Sequence, residues 1–74
     1  MSYKVNVVIE KDDHGYCAYS PELEGCQSQR DSYEEVLSNI REAVELYLET
    51  LSEEERSQYL SKEILTASLP VNLV

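Results

Sequence analysis

The stretch Asp31–Leu51 constrains this chain most. Its apolar residues are Tyr33, Val36, Leu37, Ile40, Ala43, Val44, Tyr47, Leu48 and Leu51, and no Gly or Pro interrupts them. At ~100° per residue they occupy an arc of roughly 140° on one helix face. Ser32 followed by Glu35 reads as a capping box, so the start is specified along with the face. This is the only long helix signal in the 74 residues. Whatever core the chain builds must form against it.

The rest of the sequence supplies short strands to be covered. Tyr3–Glu10 alternates, with Tyr3, Val5, Val7 and Ile9 on one side, and predicts a strand with one buried face. Lys11–Gly15 is polar and ends in Gly, as a hairpin loop does. Tyr16–Ser20 is the return strand. Pro21 cannot donate to a ladder and ends it. Glu22–Gly25 is a loop anchored by Leu23, and Cys26–Arg30 is a third strand. A second capping box, Ser52 with Glu55, starts a short helix from about Glu53 to Leu60, with Tyr59 and Leu60 facing inward. Leu69–Val74 is apolar and β-leaning, and predicts a terminal edge strand. The expected fold is α+β in one domain over 1–74. Three sequential antiparallel strands form a meander, and a right-handed crossover brings a fourth beside the first. The sheet order is then 3-2-1-4, with the long helix on one face.

Fifteen acidic residues against six basic ones give a net charge of −9. Such a surface repels nucleic acid and attracts a basic partner. No apolar run approaches the ~20 residues of a membrane span. The opening residues lack the basic start and apolar run of a signal peptide. A cytoplasmic protein with reduced thiols is expected, and one so small gains stability by forming a homo-oligomer.

Catalytic chemistry finds little to work with. Glu10, Asp12 and Asp13 lack further acids to complete a metal-nuclease site. His14, Cys17 and Cys26 are the one plausible zinc set, but they lack close paired spacing and a fourth ligand. As a nucleophile and base they lack an accompanying Gly-rich oxyanion loop. No cofactor, no metal and no enzymatic activity are expected.

The segment Gly15-Tyr16-Cys17-Ala18-Tyr19-Ser20-Pro21-Glu22-Leu23-Glu24-Gly25-Cys26, followed by Asp31-Ser32-Tyr33-Glu34-Glu35, resembles the HicB family of antitoxins. The specific part is Pro21-x-Leu23-x-Gly25-Cys26 with Asp31-Ser32-x-x-Glu35 at the right distance. Arg30 stands where the family usually has Gly, and Val36 where it usually has Ala. The resemblance implies a β-β-β-α-β domain similar to a truncated ribonuclease H fold, without that enzyme's active site. It also implies self-association, and neutralisation of a HicA-type toxin, a small basic ribonuclease that cleaves mRNA. Many family members continue into a DNA-binding domain, for which these residues carry no signal. Direct nucleic-acid binding is therefore not expected. The alternative is a stand-alone HicB-like oligomer with another protein partner or a small ligand.

Two surfaces are candidates for contact. Glu42, Glu45 and Glu49 lie opposite the apolar stripe of the long helix, with Leu46 set among them. Carboxylates there can occupy positions that RNA phosphates would take on a basic ribonuclease, and Leu46 can serve as an apolar anchor. The second surface is the terminal strand, where Val71 and Leu73 are candidates for pairing with another copy.

Overall fold

The computed structural model describes residues 3–74. It has three strands and two helices: β1 (Val8–Asp12), β2 (Gly15–Tyr19), β3 (Gln27–Arg30), α1 (Tyr33–Glu49) and α2 (Glu53–Tyr59). The strands form one antiparallel sheet in the order β1-β2-β3. The α+β class, the meander and the long helix over one sheet face are as the sequence predicts.

The core is one layer thick. Val36, Ile40 and Val44 on α1 pack with Ala18 of β2 and with Leu23 and Cys26 of the loop between β2 and β3. Val5, Val7, Ile9, Tyr16, Leu37, Tyr47, Leu48 and Leu60 close around them, partly buried. Ala18 sits beneath the helix because Ile9 and Ser28 flank it across the sheet and share its face. A small side chain there lets α1 approach closely.

The turns are fixed by specific residues. Gly15 has φ +123°, and a Cβ at that position would stand 2.7 Å from the Arg30 carbonyl oxygen. Only glycine satisfies both conditions. Gly25, at φ +82°, closes the Leu23 loop. Asp12 accepts the His14 backbone N–H at 2.8 Å and so tightens the first hairpin. At the start of α1, Ser32 Oγ accepts the Glu35 N–H at 3.2 Å, and the hydroxyl donates to Glu35 Oε1 at 2.9 Å. The Glu35 carboxylate thus turns to the Ser32 hydroxyl instead of its backbone N–H, leaving half of the expected capping box. The Ser52–Glu55 box is complete.

The first strand starts later than alternation alone predicts. Val8 pairs with Tyr19, so the same register would set Val7 opposite Ser20 and Asn6 opposite Pro21. Pro21 has no N–H to offer, and the Ser20 N–H donates to the Cys26 carbonyl at 3.1 Å. The Asn6 N–H instead donates to Glu22 Oε1 at 2.7 Å, with Asn6 Nδ2 on the same oxygen at 3.3 Å. Residues 3–7 leave the ladder and lie over α1. Arg56 of α2 helps hold them, its guanidinium 5.9 Å from the Tyr3 ring and its Nε donating to the Leu48 carbonyl at 2.8 Å.

Two expectations are corrected. Tyr59 is exposed, and only Leu60 of that pair packs against the core. The fourth strand expected at Leu69–Val74 is not formed: residues 61–74 carry no helix or strand. A strand needs a hydrogen-bonded neighbour, and no backbone bond joins this segment to the sheet among the described residues. Earlier in the segment, Ile64 and Thr66 share a cleft of about 370 Å³ with Asn6, Val7, Val8 and Ile9.

Core and turn have separable consequences for stability. Ile40→Ala, which empties a fully buried position, should cost about 2–5 kcal/mol, a large part of the ~4–11 kcal/mol expected for a domain of this size. Gly15→Ala should cost about 1–3 kcal/mol through strain and the Arg30 contact. Urea titration followed by circular dichroism measures both, and a Gly15→Ala protein as stable as wild type would refute the steric argument. Burial raises the Cys26 thiol pKa. The unfolded thiol ionises at lower pH than the folded one, so this stability is present below the unfolded value, ~8.5. It is lost as pH rises through the folded one. The urea midpoint should fall above that pH, and fall less in Cys26→Ala.

Candidate functional site

Seventeen residues of α1 separate a buried side from a solvated one. Val36, Ile40 and Val44 face the sheet. Glu42, Glu45, Leu46 and Glu49 stand at i, i+3, i+4 and i+7, which places them on one exposed strip roughly opposite those residues. Leu46 is 64% exposed, with its side chain among these carboxylates. The structure therefore brings together all four residues that the sequence marks for partner contact.

The electrostatics of the strip follow from position. A helix start welcomes Glu34 and Glu35, whose charges oppose the positive end of the dipole. Glu45 and Glu49 lie towards the other end, where carboxylates oppose the dipole and where the last turn holds no basic residue. Their placement is slightly unfavourable for the isolated helix. Glu53, Glu54 and Glu55 on α2 are also exposed and extend the negative surface. Glu55 is tied into its cap, while Glu53 and Glu54 border a cleft with Tyr3, Ser57 and Gln58.

The residues weighed for catalysis are scattered. His14 is exposed in the β1–β2 turn, Cys17 is half-buried on the sheet face away from α1, and Cys26 is in the core. No group of three or more His, Cys, Asp or Glu side chains among the described residues is placed to hold a metal ion. No helix among them is long and apolar enough to cross a membrane. Val71 and Leu73, marked for self-association, are exposed and lie outside any strand.

Sequence reasoning missed two features. A cleft of about 640 Å³ opens between residues 3–7 and α1, walled by Tyr3, Val5, Val7, Leu37, Val44 and Leu48 together with the charged Arg41 and Glu45. It arises because residues 3–7 leave the ladder, and the Glu22 bond responsible joins positions sixteen apart with no local signal. The other is the structural role of the Pro21–Cys26 motif. Leu23 is buried, its N–H donates to the Ser20 carbonyl at 3.3 Å, and its carbonyl accepts the Cys26 N–H at 3.0 Å. Through Leu23 and Cys26 this motif helps build the core.

A family model described as the HicB-like antitoxin of bacterial toxin-antitoxin systems matches residues 3–69. A UPF0150 protein of Helicobacter pylori strain J99 is 56% identical over 59 residues, covering 80% of this chain and 81% of its own length. A UPF0150 protein of Synechocystis is 52% identical over 50 residues, 66% of this chain and 63% of the relative. One from Archaeoglobus fulgidus is 36% identical over 63 residues, 84% and 91% respectively. No solved structure matches at a significant level. The matched span takes in the hairpin, the Leu23 loop and both helices, and the chain belongs to the HicB-like antitoxin family of bacterial toxin-antitoxin systems.

Proposed function

We propose that this chain neutralises a basic HicA-type mRNA-cleaving ribonuclease by stoichiometric binding, with no catalysis of its own. What carries the reading is the exposed strip Glu42, Glu45, Leu46 and Glu49, in a family of antitoxins. A ribonuclease that grips RNA presents cations spaced for phosphates. Carboxylates along one helix face offer those cations a substitute, while a net charge of −9 steers the encounter. Leu46 supplies the apolar contact that such an interface needs at its centre. The chain acts in the cytoplasm as one HicB-like domain and does not touch nucleic acid itself.

Self-association through Val71 and Leu73 is part of this proposal. So is the four-stranded order 3-2-1-4 of a truncated ribonuclease H-like sheet. Its support is the cleft that Ile64 and Thr66 share with Asn6, Val7, Val8 and Ile9, at the start of the edge strand β1. A strand there would start earlier than Leu69.

Co-expression tests the function. Growth arrest by the partner ribonuclease should be relieved by this chain, and arrest that persists with the chain present overturns the antitoxin reading. The surface is tested separately with Glu45→Lys combined with Glu49→Lys. At low salt the double variant should bind the ribonuclease at least about tenfold more weakly, a loss of ~1.4 kcal/mol or more. Its circular dichroism should be unchanged, because both side chains are exposed. Equal affinity removes this strip from the interface.

A further inference from the structure

The segment after α2 carries a pattern that its own chain leaves uncovered. Leu65, Ala67, Leu69, Val71 and Leu73 alternate with Thr66, Ser68, Pro70 and Asn72. This is the two-residue period of a strand with one apolar face. In the single chain Leu65 is 83% exposed, Leu69 79%, Val71 73% and Leu73 94%. No charged residue occurs from Leu65 to Val74, in a chain of net charge −9. A second copy is repelled by most of this protein's surface but not by this segment.

The path of the segment explains why its own sheet cannot cover it. Lys62 shares a cleft with Pro21, Glu22, Glu24 and Tyr59, and Glu22 is bonded to Asn6. Ile64 and Thr66 then lie beside Asn6 to Ile9. The segment thus runs along β1 in the same direction, towards Asp12, where β1 ends. At ~3.3 Å per residue, the chain beyond roughly residue 69 overshoots the sheet. The dimensions agree. The radius of gyration is 14.5 Å and the longest extent 49 Å, whereas a compact chain of this length has a radius of about 11 Å.

We propose that residues 65–73 pair antiparallel with the same segment of a second copy, about a two-fold axis at Leu69. This rests on the self-association proposed above and specifies its register. Leu65 then faces Leu73 of the other copy, Ala67 faces Val71, and Leu69 faces Leu69. The apolar rows meet along their whole length, with the small Ala67 opposite the branched Val71. Pro70 decides the hydrogen-bond phase. Opposed residues in an antiparallel pair alternate between bonded and non-bonded sites. With the odd-numbered residues bonded, Pro70 faces Ser68 at a non-bonded site, where its missing N–H interrupts nothing. The other edge of each segment stays open to β1 of its own chain, so one sheet runs through both copies.

Sedimentation equilibrium of the full chain should show a dimer. Leu69→Asp should weaken dimerisation at least about tenfold, with far-UV circular dichroism of the monomer unchanged because Leu69 is exposed. For the register, Leu69→Cys in a Cys17→Ser background should cross-link to itself under mild oxidation. Facing Cα atoms at a bonded site are ~5.5 Å apart, within disulfide range. Thr66→Cys should not cross-link, since the two copies of that residue lie ~20 Å apart in this register. A wild-type monomer at ~100 µM, well above the micromolar affinities of ordinary complexes, would overturn both the pairing and self-association. A dimer indifferent to Leu69→Asp would overturn the pairing and leave self-association standing. A dimer sensitive to Leu69→Asp that cross-links equally through Thr66→Cys would overturn the register. None of these results bears on ribonuclease binding, which is measured independently.

Discussion

Everything in this protein depends on the contact between the Val36–Ile40–Val44 row of α1 and the Ala18–Leu23 floor beneath it. A domain of this size removes little apolar surface from water, so a few side chains carry most of the stabilisation. The row is supplied by the helix and the floor by a strand and a loop. Neither half is complete alone: most of a helix's stability in a protein comes from packing its amphipathic face, and a sheet of three short strands needs its hydrophobic face covered. The caps at Ser32 and Ser52, the glycines at 15 and 25 and the aspartate turn at Asp12 contribute by limiting alternatives. They direct the chain so that the row and the floor meet.

The fold was legible in the sequence wherever local chemistry decided it. The α1 stripe, the polar turn within Lys11–Gly15 and the Ser52 cap each specify their own geometry within a few residues, although the strands claim Lys11, Asp12 and Gly15 and leave only Asp13 and His14 to the turn. What was not legible came from distant pairings. The late start of β1 is set by Pro21 and Glu22, which deny Asn6 a ladder partner and provide a carboxylate instead. The Leu69–Val74 segment has a strand's sequence without a strand's neighbour, and the pattern alone cannot reveal that vacancy. Tyr59 is the last residue of a two-turn helix and stays exposed, while Leu60 beyond it packs on the core.

The candidate surface was legible for a different reason. Carboxylates and a leucine at i, i+3, i+4 and i+7 share a face whenever the helix forms, and the helix was never in question. The sheet face around Cys17 and the cleft beside Val5 and Val7 were not legible. They depend on how strands end, and strand ends depend on which N–H groups find other acceptors.

The acidic residues divide into two groups with different freedoms. Asp12, Glu22, Glu35 and Glu55 direct their oxygens back into the chain, onto a turn, the Asn6 amides, a hydroxyl and a cap. Glu42, Glu45 and Glu49 point outward from a helix whose opposite side does the packing. Sequence change at the first group is filtered by folding, whereas change at the second leaves the fold untouched. The exterior of α1 can therefore be rewritten as a partner drifts, charge by charge, while the hairpin, the Leu23 loop and the helix caps stay as they are. A lineage built on this scaffold can change the face it presents without having to re-solve its fold.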